Sequence, residues 1–143
     1  SSQEKRARIL AENGVDAIFG SHPHVIQTAE MLSVETDAGI KTVPVAYSMG
    51  NFISNQQNRP CDMGVIFEIT AHKSGETGET AVTGASFVPT VVYRGHSGHW
   101  DTYEVLPCGI YKEKSDHPKR HRCETVWEHE VNLMGAGFTA LAE

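Results

Sequence analysis

The stretch Gly20-Ser21-His22-Pro23-His24-Val25 follows a short apolar run, Val15-Asp16-Ala17-Ile18-Phe19. An apolar run bounded by glycine is typical of a buried strand, so the histidines are expected where a strand ends. Pro23 fixes its own φ and disfavours helical backbone before it, so we expect His22 to be extended. In extended chain, residues i and i+2 share a face with Cα atoms roughly 6.5 Å apart. Both imidazoles could then bind one metal ion or two adjacent ions; the alternative is two polar loop histidines.

The residues before this stretch predict a helix that leads into the strand. Gln3 to Asn13 has an apolar side, and Gly14 fits the position just past a helix end. A helix, a glycine and a short apolar strand form half of a βαβ unit, so we predict an α/β fold with a parallel strand pair. Ligands of open α/β sheets gather at the carboxyl ends of strands, which is where 20–24 lies.

Further strands and turns are predicted downstream. Alternation and apolar runs predict strands at Val25–Val34, Thr42–Tyr47, Met63–Ala71, Thr80–Tyr93 and Trp100–Leu106. Asp37-Ala38-Gly39 predicts a turn, and the polar stretch Ser54–Asp62 predicts a loop that overhangs the histidines. Pro44 indicates an edge strand or a strand start, and Pro89 a break or bulge in the second arm of a hairpin.

The last part of the chain predicts a loop and then a helix. Lys112–Arg122 is charged and rich in histidine, and its cationic cluster, Lys119–Arg122, is typical of a solvated loop. Thr125 to Leu141 is predicted to be an amphipathic helix, with a capping box formed by Thr125 and Glu128. Its packing face would be an apolar stripe at helical spacing, made of Trp127, Val131, Met134, Phe138 and Leu141.

Composition bounds the class of protein. The 143 residues carry a formal net charge of −6 without a basic stripe, which argues against nucleic acid as a partner. The sequence has no run of about 18 apolar residues, so no membrane span is predicted. The chain begins with Ser1 and not with methionine, so we expect it to be part of a longer protein.

Several other residues are weaker candidates for chemistry. The three cysteines are not a disulfide framework, although a Cys108–Cys123 bridge is an alternative in an oxidising compartment. Cys108, Cys123 and two histidines between them could be drawn as a zinc site, but their spacing matches no standard finger. Loop or surface roles are favoured for a further set: His72, His96, His99, Arg59 and His129. Ser48 lacks the Gly-x-Ser-x-Gly elbow of serine hydrolases.

Two motifs in the chain resemble those of one family. The first motif, Gly14–Val25, resembles the GADVVIGHHPHV signature of CapA-type bacterial capsule synthesis proteins. The second motif, Ala46–Phe52, resembles the YSLGNF signature that follows it in that family. The resemblance covers about Gln3 to Tyr93. Ser21 departs from it, because the family often has a histidine there, and residues 94–143 carry no recognised motif.

The resemblance implies a fold and a site. The family is similar to calcineurin-like metallophosphoesterases, which are four-layer αββα sandwiches with a metal centre at strand ends. It implies that residues 1–93 are the C-terminal half of such a domain and that residues 94–143 are a C-terminal β/α extension. His22 and His24 match the His-x-His part of a metal-binding loop, and Asn51 is expected beside the site as a third catalytic candidate. The remaining ligands are expected outside this chain.

Two functions are consistent with the resemblance. The first is a divalent-metal-dependent hydrolase of the phosphoesterase type that uses Mn, Zn or Fe and acts on a capsule polymer, such as poly-γ-glutamate, or on a phosphorylated substrate. The alternative is a non-catalytic accessory for export, anchoring or assembly of that polymer. Either implies an extracytoplasmic, cell-surface protein whose parent could be membrane-anchored, with this piece itself soluble. We also expect an uncovered strand edge to favour homo-oligomers, and weak metal binding by this chain alone.

Overall fold

A computed structural model describes residues 1–37, 39–56 and 58–143. The described chain is a mixture of helices and strands, which agrees with the α/β class. In chain order the elements are α1 (Ser2–Glu12), β1 (Ile18–Phe19), β2 (Ala29–Thr36), β3 (Gly39–Ala46), β4 (Met63–Lys73), β5 (Thr80–Ser97), β6 (Trp100–Pro107), α2 (Cys108–Tyr111), α3 (Arg120–Leu133) and β7 (Thr139–Ala140). Ala38 of the predicted 37–39 turn and Gln57 of the predicted 54–62 loop lie outside the described residues.

Helix α1 covers one face of the first sheet. It begins at a capping box in which Ser1 Oγ accepts a hydrogen bond from the Glu4 amide at 3.3 Å. Ala7 and Ala11 are buried against the sheet, whereas Ile9 and Leu10 of the predicted apolar side are exposed. Small residues on the inner face let the helix lie close to the strands beneath it.

The first sheet has the strand order β1-β3-β2. β1 is parallel to β3, as the half βαβ unit predicts, and β2 is antiparallel to β3. Strand β3 is therefore central, and the edge position predicted from Pro44 is wrong, as is the alternative of a strand start. The physical reason is that β1 pairs only with Val45 and Ala46. Pro44 lies just outside that ladder, so its missing N–H removes no hydrogen bond to β1.

The second sheet has the order β4-β5-β6, with β7 beside β5. The β4–β5 hairpin was predicted from its strands, whereas the pairing of β5 with β6, which are joined by Gly98 and His99, was not. The bulge predicted at Pro89 is wrong, because Pro89 pairs in register with Val65 and the irregularity lies at Thr70/Ala71. Strand β5 runs without a break through residues 93 and 94. The predicted boundary between the two parts of the chain, 1–93 and 94–143, falls at this point.

Helix α3 differs from the predicted terminal helix. It begins at Arg120 and ends at Leu133, so Thr125 is an interior residue whose hydroxyl donates to the His121 carbonyl at 2.9 Å. The predicted capping box is therefore wrong. Of the predicted stripe, Met134 is buried in the core and Trp127 and Phe138 pack against it, although the fully buried face of the helix is formed by Cys123, Val126 and Glu130. Val131 of the stripe is exposed.

The end of α3 is tied to the first sheet. Met134 is extended, and the Gly135 amide donates to the Ala29 carbonyl at 3.1 Å. Cys108 and Cys123 are buried together in the core between α2, α3 and the second sheet, and both are free thiols, so the alternative of a disulfide is wrong. Among the described residues no helix has the length and apolar character needed to cross a bilayer.

Glu130 is a fully buried carboxyl group on the inner face of α3. Neither of its carboxyl oxygens has a hydrogen-bond partner among the described residues. Burial raises the pKa of Glu130 from 4.5 to about 9, and the charge of Arg122 acts in the opposite direction. The side chain is therefore neutral in the folded protein at neutral pH.

We expect Glu130→Gln to flatten the pH dependence of stability. Between pH 4.5 and about 9 the unfolded chain ionises Glu130 while the folded chain keeps it protonated. The free energy of unfolding therefore falls as pH rises, by at most about 1.4 kcal/mol per pH unit. Urea denaturation at pH 5 and pH 8 measures this loss. Glu128→Gln, at an exposed position of the same helix, is the matched control, and an equal slope in all three proteins would contradict the expectation.

Candidate metal centre

Backbone hydrogen bonds hold the first motif against the second. The Gly20 amide donates to the Ala46 carbonyl at 2.7 Å, and the Met49 amide donates to the Gly20 carbonyl at 3.2 Å. On the far side of the histidines, the Gln27 amide donates to the Ser48 carbonyl at 3.1 Å. The loop that carries His22 and His24 is therefore anchored to the second motif at both ends.

Two glycines allow the segments around the site to approach closely. A Cβ atom on Gly20 would lie 2.1 Å from the Tyr47 carbonyl oxygen, and one on Gly64 would lie 2.2 Å from the Asn51 carbonyl oxygen. Both contacts are with main-chain atoms, which cannot rotate away. Glycine is thus required where the first motif meets the second and where the second motif meets β4.

His22 and His24 both have positive φ angles, +103° and +60°. The extended backbone predicted for His22 is therefore wrong, although the chain does place both side chains at the protein surface. A left-handed conformation costs a residue with a Cβ about 1–3 kcal/mol and persists only where its surroundings impose it. Here the hydrogen bonds at Gly20 and Gln27 impose it, since they fix the ends of a short loop that contains a proline.

Asn51 contacts His24 directly. The Asn51 side chain is 8% exposed, and its Oδ1 lies 2.8 Å from His24 Nδ1. The Asn51 Nδ2 group donates to the Cys61 carbonyl at 2.9 Å and to Gln56 Oε1 at 3.1 Å. Because both of those partners are acceptors, Nδ2 is the amide nitrogen and Oδ1 accepts from His24 Nδ1–H. The neutral His24 ring therefore keeps its lone pair on Nε2.

This tautomer is suited to metal binding through Nε2. Histidines that bind metals usually donate their second ring N–H to an oxygen acceptor, which orients the ring and raises its basicity. His24 and Asn51 fit that arrangement, and His22 lies two residues away on the same loop. Among the residues that the structure describes, no group of three or more His, Cys, Asp or Glu side chains could hold a metal ion.

The weaker candidates have other roles. His117 packs edge-on against Tyr93 and Tyr111, with ring centroids 5.6 and 4.7 Å away, and its Nδ1 accepts from the Lys119 amide. His121 is exposed beside Glu124, so the two histidines do not join the buried pair Cys108 and Cys123, and no Cys2His2 zinc site forms among the described residues.

Two further candidates are accounted for as surface or core groups. His96 lies on the surface with Nδ1 2.8 Å from Asp101. Ser48 is 1% exposed, and its hydroxyl oxygen accepts from the Gly50 amide at 3.4 Å, so it is not an accessible nucleophile.

Comparison with known families gives a match that covers the first part of the chain. Residues 1–56 match the family model described as bacterial capsule synthesis protein PGA_cap. That range contains both motifs, the histidine loop and Asn51. The resemblance to CapA-type capsule synthesis proteins is therefore confirmed for this part of the chain. Comparisons with curated proteins and with solved structures gave no match.

One part of the site was missed by sequence reasoning. Cys61 and Met63 were placed at the end of a polar loop and the start of a strand, yet their carbonyls accept from Asn51 Nδ2 and from the Asn51 amide at 2.9 and 3.0 Å. Main-chain acceptors leave no mark on the sequence, because any residue can supply them. The role of Asn51 in orienting His24 was missed for the same reason, since it depends on which way the amide faces.

We expect Gly64→Ala to destabilise the fold much more than Gly75→Ala. The new methyl group at Gly64 would overlap the Asn51 carbonyl, and such overpacking typically costs about 1–3 kcal/mol. Gly75 lies in the β4–β5 turn, where a Cβ meets no atom within 4 Å. Thermal or urea denaturation measures the difference. Equal stabilities for the two variants would show that the second motif and β4 do not need this close approach.

Proposed function

We propose that this chain is part of a capsule biosynthesis protein in which His22 and His24 bind a divalent metal ion and Asn51 orients His24. The match of residues 1–56 to a capsule synthesis family supports the role in capsule synthesis. The metal-dependent phosphoesterase activity is the finer part of the proposal. The hydrogen bond between His24 Nδ1 and Asn51 Oδ1 carries it, because it leaves Nε2 available to a metal.

The imidazole groups of His22 and His24 are suited to binding a divalent metal ion. Imidazole is a borderline ligand that binds Mn, Fe and Zn, so the cofactor is proposed from that group. A divalent ion held at such a site polarises a phosphoryl oxygen and lowers the pKa of its bound water. The chain's own part is to present two neutral imidazoles on a loop with fixed ends and to hold the Nδ1 proton of His24 on Asn51.

The proposal requires ligands beyond the two histidines. Metal centres usually have at least three protein ligands, so at least one more must come from outside the described residues. We propose a capsule polymer of the poly-γ-glutamate type, or a phosphorylated substrate, as the molecule acted on. The cell surface is the proposed location, with membrane anchoring of the parent and self-association of this piece as further parts of the proposal.

A non-catalytic role is the second candidate. In it, the protein assists export, anchoring or assembly of the polymer, and the histidine loop has only a structural part. The lack of a three-ligand group among the residues described here is compatible with that role. The strained φ angles of His22 and His24 favour the first candidate, because such strain is concentrated at functional sites.

We expect His22→Ala/His24→Ala to abolish metal binding and phosphoesterase turnover in the intact protein that contains this sequence. Removing two ligands leaves too few groups to hold the ion. Metal stoichiometry by elemental analysis and hydrolysis of a generic aryl phosphate are the measurements. His72→Ala, at an exposed position of β4, is the matched control. If both quantities were unchanged in the double variant, the enzymatic proposal would be lost.

We expect Asn51→Leu to weaken metal affinity by about 10–100-fold without removing a ligand. Leucine has the same branched shape, although it is larger, and it cannot accept a hydrogen bond from His24 Nδ1–H, so the ring loses its fixed orientation. Isothermal titration of the intact protein with Mn or Zn measures the affinity, and Asn132→Ala on the exposed side of α3 is the control. Wild-type affinity in Asn51→Leu, with the fold retained, would rule out the orienting role.

By itself the 143-residue chain should bind Mn or Zn weakly, because two imidazoles do not make a tight site. Calorimetric titration of the isolated chain tests this. Sub-micromolar affinity that disappears in His22→Ala/His24→Ala would mean that the chain supplies a complete site.

A further inference from the structure

The segment Cys61-Asp62-Met63 holds Asn51 through its main chain. The Cys61 carbonyl accepts from the Asn51 side chain at 2.9 Å, and the Met63 carbonyl accepts from the Asn51 amide at 3.0 Å. The position of this segment therefore sets where the Asn51 amide group lies. Through Asn51, it also sets how the His24 ring is turned.

Asp62, between those two carbonyls, is held from the opposite direction by helix α3. Its side chain is 4% exposed, and Arg122 binds it with two hydrogen bonds, Nε to Oδ2 at 2.9 Å and Nη2 to Oδ1 at 2.5 Å. The Asp62 carbonyl accepts from the Val92 amide of β5 at 2.9 Å. Asp62 is thus fixed by the planar two-point contact of its side chain with Arg122 and by the main-chain hydrogen bond of its carbonyl with Val92 in β5.

The energetics of this pair indicate a role in geometry. Burying two charges costs about as much as their attraction returns, and an apolar pair of similar volume is often as stable. What a guanidinium–carboxylate fork adds is a fixed orientation, because two parallel hydrogen bonds define both distance and direction. Cys123 and Val126 already bury the apolar face of α3, so packing of the helix does not depend on the pair alone.

We propose that Arg122 is a positioning residue for the candidate metal centre. By holding Asp62, it fixes the Cys61 and Met63 carbonyls, which hold Asn51, which orients His24. This rests on the proposed function for its chemical purpose, although the linkage itself is independent of any metal. It gives the segment 94–143, in which no motif is recognised, a defined task at the site formed by the first 64 residues.

Small displacements are enough for the linkage to matter. Hydrogen bonds of this kind are formed at about 2.7–3.2 Å and are lost near 3.6 Å. Both carbonyl contacts with Asn51 lie within the formed range. A shift of the 61–63 segment by about 0.7 Å would therefore break the Cys61 contact and leave Gln56 Oε1 as the remaining acceptor of the Asn51 side-chain NH₂ within that range, so the amide that orients the His24 ring would be held less firmly.

The test separates positioning from folding by its choice of variants. Asp62→Leu/Arg122→Met replaces the ion pair by apolar groups, so that no buried charge is left unpaired. Arg122→Lys keeps the charge and loses the two-point contact. Arg120→Met is the matched control, because Arg120 lies on the same helix and pairs with Glu124 at the surface at 2.7 Å.

The measurement is solvent exchange of the Asn51 side-chain NH₂ protons, followed by ¹H–¹⁵N NMR on the 143-residue chain without metal. The Asn51 signals are assigned by their loss in Asn51→Asp. We expect exchange at least tenfold faster in Asp62→Leu/Arg122→Met, a smaller increase in Arg122→Lys, and a change of less than twofold in Arg120→Met. Thermal denaturation verifies that each variant is folded.

Unchanged Asn51 exchange in the folded double variant would overturn the proposal, and so would unchanged exchange in Arg122→Lys if only that variant folds.

Mn or Zn affinity of the intact protein is then measured for the same variants. If exchange changes as expected and the wild-type protein binds no metal, the positioning role stands and the proposed function fails. If metal binds and exchange does not respond to Arg122, the proposed function stands and this inference fails.

Discussion

The buried side-chain amide of Asn51 is the contact on which the candidate site depends. An amide removed from water must find hydrogen-bond partners or it destabilises the fold. Asn51 finds them on three separate segments, at His24, Gln56 and Cys61. The requirement to satisfy one polar group therefore fixes the relative positions of the histidine loop, the polar loop and the start of β4.

The same region joins the two sheets of the protein. Gly50 forms a bridge with Gly64, and the Val65 amide donates to the Met49 carbonyl at 3.0 Å, so the second motif continues from the first sheet into β4. Helix α3 reaches back to the first sheet through the contact of Met134 with Ala29. The site lies at a seam between sheets, where loops from both are held by main-chain bonds.

Sequence signals that are local in the chain predicted the fold well. Helix α1, the β4–β5 hairpin and strand β6 follow from periodicity and turn residues that lie within a few positions of one another. The start of α3 could not be predicted that way. In the sequence, Arg120 and Arg122 indicate a solvated loop. The Arg122 side chain is only 10% exposed because it pairs with Asp62, which lies 60 residues earlier and so gives no local signal.

The site shows the same division. The two motifs predicted that the histidine loop and Asn51 would lie near each other, and His24 and Asn51 are in contact. The backbone angle of His22 was not predicted, because Pro23 favours an extended neighbour and the anchoring bonds at Gly20 and Gln27 override that preference. The acceptors on Cys61 and Met63 are main-chain atoms, for which the sequence carries no signal.

The bridge between Gly50 and Gly64 has a consequence for how this protein can diversify. It closes the chain on either side of the polar loop, while Asn51 is held by carbonyls at 61 and 63 that do not depend on side-chain identity. Apart from Gln56, whose side chain accepts from Asn51, the segment between these anchors can change in length and composition at a small entropic cost, since doubling the length of a flexible loop costs only about 0.6 kcal/mol. The same scaffold can thus carry different loops beside an unchanged histidine pair, which makes this segment a suitable place for exchanging loops.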